Sequence, residues 1–560
     1  MRTAQYAVEI ERDVRTPMSD GVTLVSNVYR PKGPASVPAV LVRAPYSQSW
    51  KTRLMSDIAG KFWASRGYAV VLQSSRGRLP SGGEFYPLAP ERSDGIDTLH
   101  WLAAQPWCDG RIGMWGGSSF GYTQWAIADQ REPGPKAYMI QIASSEVREM
   151  LYPGGAFALE SGLYWALRSY RDMDKIPSAR MIDRGVNGYP LREADNRAVE
   201  DIPFFDDWAT HTQQDKYWKE IDGEDRAASI QAPVHLIGGW HDPFLPAQLK
   251  GFERIRGRAA PPVARDTRLL IGPWSHAASF ELPESANREN YRRAALAPAI
   301  DWFDTHLAGT SDAARKTAPV RLFVLGINQW RDEQEWPLAR AEDISLYLRS
   351  NGRANTVNGD GMLSLQVLER DEPADSFEYD PRNPVPTAGG AVLGKRAGIK
   401  DQNRVERRRD VLVYTSPVLA APVEVTGNVC AILHVATTAP NTDFTAKLVD
   451  VHPDGRAFNV CDGILRRDFR TNSPPTSIRI ELWPTSMVFK AGHQIRLEVS
   501  SSNFPRFDRN PNTGGFIPAE TQPVSARQWV FHSAGMASQL CLPVIPSDIS
   551  ADEGRITFES

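Results

Sequence analysis

The sequence predicts an α/β protein with an inserted helical cap and a mostly parallel sheet, followed by an all-β jelly-roll domain. Three observations carry this prediction. Short apolar segments alternate with helically spaced ones over the first 145 residues, the pattern of strands joined by crossover helices. The alternation stops in a stretch rich in Arg, Asp, Tyr and Trp and resumes near residue 230. From about residue 319, short strands recur between Gly, Pro, Asn and Asp clusters with hardly any helical period.

Residues 5–31 alternate as two strands joined at Ser19-Asp20-Gly21, a hairpin turn signal. Residues 37–43 read as a compact apolar strand running into Ala44-Pro45-Tyr46. Over 52–66 the apolar positions are spaced as in a helix, with Leu54, Ile58, Phe62 and Trp63 on one side and a stop at Gly67. A buried strand over 68–73 follows, then a Gly/Pro-rich loop (76–83) and a helical pattern over 94–103. The next stretch, Asp109 to Trp125, has an apolar segment (112–115) that breaks on Gly116 and Gly117 and presents Ser118 and Ser119. It then passes through Gly121 toward a helix.

Residues 146–229 carry helical spacing in pieces (156–170 and 178–184) and no strong strand, which fits a cap over the C-terminal edge of a sheet. The sheet resumes at 234–242 and 268–276, two apolar strands whose polar ends project to the same edge as the serine turn. An amphipathic helix over 290–307, carrying Ala295, Leu296, Ile300, Trp302, Phe303 and Leu307, closes this part. Strands over 320–325, 344–348, 431–435 and 495–499 mark the all-β region, and 380–394 reads as a long loop. The expected boundaries are 1–145 and 230–318 for the two parts of the α/β domain, 146–229 for the cap and 319–560 for the jelly roll.

With 560 residues the chain is too long for one core. Apolar residues at 41% and charged residues at 23% are ordinary for a globular protein, and a net charge of -3 offers no basic footprint for nucleic acid. Cys108, Cys430, Cys461 and Cys541 lie far apart and form no C-x-x-C pair, so they read as buried thiols rather than a disulfide framework or a zinc site. The N-terminus is too charged for a signal peptide and no run of 18 apolar residues occurs, so the expectation is a soluble cytoplasmic protein without a membrane partner.

The serine turn carries the chemistry. A strand-to-helix turn with glycines on both sides lets a serine take a strained conformation and aims backbone N–H groups where an oxyanion can be held. Spacing leaves the register open: G-x-S-x-G selects Ser119, and G-x-S-x-x-G selects Ser118. A Gly-Ser turn without chemistry is the competing reading. A serine nucleophile needs a base and an acid that orients it. The order Ser, then Asp242, then His276 at successive strand ends is the α/β-hydrolase order. Among ten histidines His276 is favoured over His241 and His235 because it lies on a loop directly after a buried strand.

The segments 113–125, Gly239-Trp-His-Asp242 and Gly272-Pro-Trp-Ser-His276, with the opening 17–24, resemble the cocaine esterase/NonD family of α/β-hydrolases. That family is related to the X-prolyl dipeptidyl peptidases (S15) and the α-amino acid ester hydrolases. The resemblance implies an α/β-hydrolase domain and places the nucleophile at Ser118, flanked by Gly116 and Gly121. Ser119 stands where a tyrosine is usual, yet its backbone N–H would still face the oxyanion, and Tyr46 in Arg43-Ala-Pro-Tyr46 would supply the second donor. Phe244 and Trp165 resemble aromatics of an acyl pocket. Where the ester hydrolases carry carboxylates for a substrate ammonium, this chain has Pro243, Phe244 and Leu245. An uncharged, bulky or aromatic acyl group is therefore expected, since an apolar wall would leave an ammonium unpaired. Asp172 and Asp174 could restore amine recognition, although a solvated helix face explains them as well.

The expected reaction is acyl transfer from a small-molecule ester or amide through a covalent intermediate, with no cofactor and no metal. No H-E-x-x-H or similar ligand spacing is present. Three alternatives stay open: an X-Pro dipeptidyl-peptidase or β-lactam/amide acylase, an acyltransferase, and a carbohydrate-binding protein with a vestigial site. Exposed strands of the all-β region allow a homodimer.

Overall fold

The computed structural model describes residues 3–45, 50–170, 176–223, 225–276, 298–367, 371–394, 396–469, 474–546 and 556–559. Among the described residues ten strands form the first sheet. They are β1 (Val8–Pro17), β2 (Thr23–Pro31), β3 (Val37–Ala44), β4 (Ala69–Ser74), β5 (Cys108–Gly117), β6 (Ala137–Gln141), β7 (Val234–His241), β8 (Arg268–Ser275), β9 (Val320–Val324) and β10 (Gln329–Glu333). Their order is β1-β2-β4-β3-β5-β6-β7-β8-β9-β10. From β4 to β9 every neighbouring pair is parallel, and antiparallel pairs close both edges. Strands β3, β4 and β7 are buried along their whole length, which is why they read as continuous apolar runs rather than alternating ones.

Helices α1 (Trp50–Ala64), α2 (Glu91–Ala103) and α3 (Ser119–Trp125) cross between the early strands. The inward side of α1 differs from the expected one. Leu54 and Ile58 are 54% and 56% exposed, while Trp63 and Ala64 are buried. The reason is Gly60: a Cβ there would meet the Tyr29 ring at 2.5 Å, so this face of the helix approaches β2 closely, and Trp63 wedges against Tyr68 and Phe303. Of the helix expected over 290–307, Ala295 and Leu296 lie outside the described residues; Ile300, Trp302, Phe303 and Leu307 are buried.

Two further differences concern the sheet. Strand β6, only five residues long, was not singled out from the sequence, although Pro133-Gly134-Pro135 just before it is a turn signal. The boundary expected at residue 319 is also moved, because β9 pairs in parallel with β8 (Leu269↔Val320, Ile271↔Leu322) and β10 folds back on β9. Residues 320–333 thus complete the first sheet instead of opening the second.

The cap consists of α4 (Val147–Leu151), α5 (Leu159–Ser169), α6 (Ala179–Val186), α7 (Ala194–Ala198), α8 (Pro203–Thr210) and α9 (Lys216–Asp222). Its core holds Phe157, Leu163, Phe205, Trp208 and Trp218. Helices α10 (Leu245–Arg258) and α11 (Pro261–Asp266) then link β7 to β8.

The second sheet has fourteen strands among the described residues. These are β11 (Glu342–Arg349), β12 (Met362–Ser364), β13 (Asp375–Tyr379), β14 (Leu412–Thr415), β15 (Val423–Gly427), β16 (Cys430–Thr437), β17 (Asn441–Val451), β18 (Ala457–Asp468), β19 (Thr476–Glu481), β20 (Thr485–Phe489), β21 (Gln494–Ser500), β22 (Ala526–Ser533), β23 (Met536–Ala537) and β24 (Gln539–Ile545). This all-β domain docks on both other parts. Asp508 accepts the Phe157 N–H of the cap at 3.0 Å while pairing with Arg466, and Gly154 lies so close to the Ile464 carbonyl that a Cβ would come within 1.7 Å of its oxygen. The four thiols are free; three are buried, Cys541 is half-buried, and Cys541 faces Cys430 across β16 and β24. Among the described residues no helix is long and apolar enough to cross a membrane.

Candidate active site

Strand β5 ends on Gly116 and Gly117, and α3 begins at Ser119, so Ser118 occupies the bend with φ 57° and ψ -127°. A positive φ is costly for a residue with a Cβ and persists where its surroundings enforce it. Here the enforcement is visible. A Cβ on Gly116 would meet Phe120 Cβ at 2.5 Å, and one on Gly121 would meet Ala143 Cβ at 2.6 Å. The Ser118 N–H donates to the Gln141 carbonyl of β6 at 2.9 Å, and Gln124 of α3 donates to the Gly116 and Met139 carbonyls at 3.1 Å each. The strained position therefore falls on Ser118 and not on Ser119, which is the first residue of α3.

The neighbouring strand ends bring two more side chains to this bend. His276 Nε2 lies 2.9 Å from Ser118 Oγ, and His276 Nδ1 lies 2.7 Å from Asp242 Oδ2. Asp242 is fully buried, and its other oxygen accepts the Phe244 N–H at 2.8 Å. Close packing of β7 on β8 sets the relative height of the two ends: a Cβ on Gly239 would come within 2.1 Å of the Trp274 carbonyl oxygen. A serine hydroxyl, an imidazole and a buried carboxylate in hydrogen-bonded series can move a proton from oxygen to nitrogen while holding one imidazole tautomer.

The other histidines are placed elsewhere. His235 packs against Trp302, and burial pushes its imidazole down to about 3; burial likewise holds that of His241 down to about 4. Both stay neutral at neutral pH.

Of the remaining expected site residues, Phe244 lies with its ring centroid 5.6 Å from that of His276. Trp165 of α5 stacks on Trp208 at 4.6 Å. Both tie into the apolar cluster of the cap, Phe244 buried within it and Trp165 packed against it, so the cap and the loop after Asp242 form one aromatic assembly. Tyr46, Asp172 and Asp174 lie outside the described residues. The arginine of the Arg43-Ala-Pro-Tyr46 motif is described: fully buried, it pairs with Glu91 at 2.8 Å and donates to Gln73 at 3.0 Å, which anchors the end of β3 before that loop.

Sequence reasoning missed Trp483, between β19 and β20, whose indole N–H reaches the Asp242 carbonyl at 3.2 Å. No local signal marks it, because the contact spans 241 residues of chain. It also missed the bracing role of Gln124, whose place one turn into α3 is a signal that could have been read.

Residues 20–278 match the X-Pro dipeptidyl-peptidase (S15 family) profile, and residues 312–541 match that of the X-Pro dipeptidyl-peptidase C-terminal non-catalytic domain. The cocaine esterase of Rhodococcus sp. (strain MB1 Bresler) is 38% identical over 580 aligned residues, covering 96% of this chain and 98% of that protein. The chain belongs to the cocaine esterase/S15 family. As a member of this family it is a serine ester hydrolase. Solved structures agree on the fold. An aminopeptidase from a marine sediment archaeon, Thaumarchaeota archaeon, superposes with TM-score 0.78 at 24% identity, and an α-amino acid ester hydrolase with TM-score 0.77 at 24% identity, each covering 97% of both chains. The cocaine esterase/S15 architecture, an α/β-hydrolase domain with a C-terminal β domain, accounts for both sheets of this chain.

Proposed function

We propose that the chain hydrolyses small carboxylic esters with a bulky or aromatic, uncharged acyl group, through an acyl-enzyme on Ser118. The observation that carries this reading is the hydrogen-bonded series Ser118 Oγ, His276, Asp242, with the positive φ on Ser118. In the first step Ser118 Oγ attacks the ester carbonyl carbon as His276 Nε2 takes its proton, and Asp242 keeps Nδ1 protonated and the ring aligned. The negative charge gathers on the carbonyl oxygen, where the Ser119 backbone N–H and the Tyr46 hydroxyl serve as donors, each contributing on the order of 3 kcal/mol. His276 then protonates the leaving alcohol. Water enters and loses its proton to His276 as it attacks the acyl carbon, and the carboxylic acid leaves as His276 returns that proton to Ser118 Oγ.

The acyl preference rests on Phe244 beside the imidazole and on the stacked Trp165 in the cap. An apolar wall at this place favours a benzoyl-like group and disfavours an ammonium, which would be desolvated without a counter-charge.

The test is fluorophosphonate labelling with peptide mapping on the unmodified chain, Ser118→Ala and Ser119→Ala, together with hydrolysis of p-nitrophenyl benzoate, p-nitrophenyl butyrate and the matched benzoyl anilide. The label is expected on Ser118, lost only in Ser118→Ala, with benzoate preferred and the anilide slow. Labelling of Ser119 or of neither serine overturns the mechanism. Faster anilide cleavage makes the chain an amidase on the same residues, and partitioning toward added alcohol makes it an acyltransferase.

A further inference from the structure

Away from the triad, the seam between the two sheets holds a second group of side chains able to do chemistry. Strand β17 pairs antiparallel with β21 in the register Asp450↔Ile495 and Val451↔Gln494. One step further that register sets His452 opposite His493, and Asp450 lies on the same face, two residues before His452 and diagonal to His493. The side chains meet accordingly. Asp450 Oδ1 lies 2.9 Å from His493 Nδ1, Asp450 Oδ2 lies 3.2 Å from His452 Nε2, and the two imidazole centroids are 4.4 Å apart. All three residues are buried, and one donor atom from each falls within 4.8 Å of the others.

We propose that Asp450, His452 and His493 form a binding site for a divalent first-row transition-metal ion of the Zn2+ class. Two imidazole nitrogens and one carboxylate oxygen form a donor set that suits Zn2+ and its neighbours and is poor for Ca2+ or Mg2+, which take oxygen. Donor atoms around a tetrahedral Zn2+ stand about 3.3 Å apart, given bonds of about 2.0–2.1 Å. The two short separations run to different oxygens of Asp450, Oδ1 to His493 and Oδ2 to His452, so completing the set takes a turn of the carboxylate that aims one oxygen between the imidazoles and a small shift of the rings. A cavity of about 50 Å³ adjoins the three residues, lined also by His241, Asn459 and Lys490. It has room for an ion with a water-sized fourth ligand. Since the Lys490 ammonium shares the cavity, the ion's charge is balanced by Asp450 and by hydroxide or another anion in the fourth position.

The place of the site gives it a structural consequence. His241, the last residue of β7, immediately precedes Asp242, and Leu325 after β9 bonds to Ser486 and Val488 of β20 beside the same cavity. An ion at this point ties the ends of β17 and β21 together at the seam, so its binding adds to folding stability.

The experiment uses the full chain, stripped with a chelator and titrated with Zn2+ against a chromophoric competitor, with Co2+ as a spectroscopic substitute. One Zn2+ per chain is expected, with a raised unfolding midpoint, and Co2+ should give the visible bands of a four-coordinate nitrogen and oxygen site. Losing even a group that supports a metal ligand costs about 10- to 100-fold in affinity, so His452→Gln and His493→Gln should each weaken Zn2+ by more than about 100-fold. Asp450→Asn, which keeps size and shape, serves where a histidine variant fails to fold as judged by circular dichroism. The proposal is overturned if excess Zn2+ leaves less than one ion bound, if Co2+ gives only the spectrum of the free ion, or if affinity is unchanged in the folded variants. Asp450 is then a hydrogen-bonded brace between two imidazoles.

Discussion

The Trp483 indole N–H, supplied by the all-β domain, donates to the backbone carbonyl of Asp242 at 3.2 Å. The Arg506 guanidinium lies 4.5 Å above the Trp483 ring and is paired with Asp462, so a chain of contacts leads from the second sheet to the carboxylate that holds His276. This domain therefore reaches the site as a support for the turn after β7. Replacing Trp483 by Phe keeps the ring and removes the donor. Because the Asp242 carbonyl also accepts the Leu245 N–H, the expected loss is that of one hydrogen bond of ~1 kcal/mol, a drop in kcat of about fivefold with KM unchanged. Steady-state hydrolysis of p-nitrophenyl benzoate measures both constants, and an unchanged kcat would show that the contact does not position the acid.

The acid and the second serine separate by magnitude. Asp242→Asn should lower kcat by about 10⁴-fold, since an amide beside Nδ1 favours the wrong imidazole tautomer. Ser119→Ala should stay within about threefold of the unmodified chain, because the proposed oxyanion donor is its backbone N–H and the substitution retains it. Burst-phase kinetics on both variants check the pair of values.

Phe244→Ala removes the aromatic wall next to His276. A pocket contact of this size discriminates by about 1–3 kcal/mol, so kcat/KM for the benzoate should fall roughly tenfold relative to the butyrate. An unchanged ratio would place the acyl group elsewhere.

Gly154→Ala tests the docking of the cap on β18. The glycine has φ 58°, and a Cβ would stand 1.7 Å from the Ile464 carbonyl oxygen, an atom of the backbone that cannot step aside. The substitution should cost more than about 2 kcal/mol, read as a lower urea midpoint, since strain and a backbone clash add. Gly455→Ala, where a Cβ meets nothing within 4 Å, shares the positive φ and isolates the clash.

Stability should also depend on pH through the cap. Burial pushes the Asp222 carboxyl up to about 7, against the pull of the Val147 and Arg148 N–H groups that it accepts, and burial raises Glu160 to about 7 against the attraction of Arg396. A carboxyl whose folded value lies above its unfolded one adds stability that is fully present below about pH 4 and is lost as pH rises through about 7. Asp222→Asn cannot ionise and keeps an acceptor for Val147. It should flatten the fall in unfolding free energy between pH 4 and 8, read from urea titrations, by an amount on the order of a few kcal/mol. A variant with the unmodified slope would rule out Asp222 as the group responsible.

The local pattern of the chain marked most of the first sheet, the serine turn and the candidate acid and base at the ends of later strands. Fully buried strands such as β3, β4 and β7 leave continuous apolar runs, and the elbow needs glycines at Gly116 and Gly121, so both are written in short stretches. Spacing alone left Ser118 and Ser119 equivalent; family resemblance chose between them, and the backbone at the bend has the positive φ at Ser118. Pairing partners decided the rest. A five-residue strand such as β6 carries too little pattern, and β9 belongs to the first sheet only because β8 lies beside it. The outward turn of Leu54 and Ile58 follows from Gly60 meeting Tyr29, a contact between elements. Trp483 at Asp242, and His493 beside Asp450 and His452, are likewise products of strand register and domain docking. Periodicity records which face of an element is buried. What that face meets is set by close packing between segments hundreds of residues apart, and only the assembled structure holds that information.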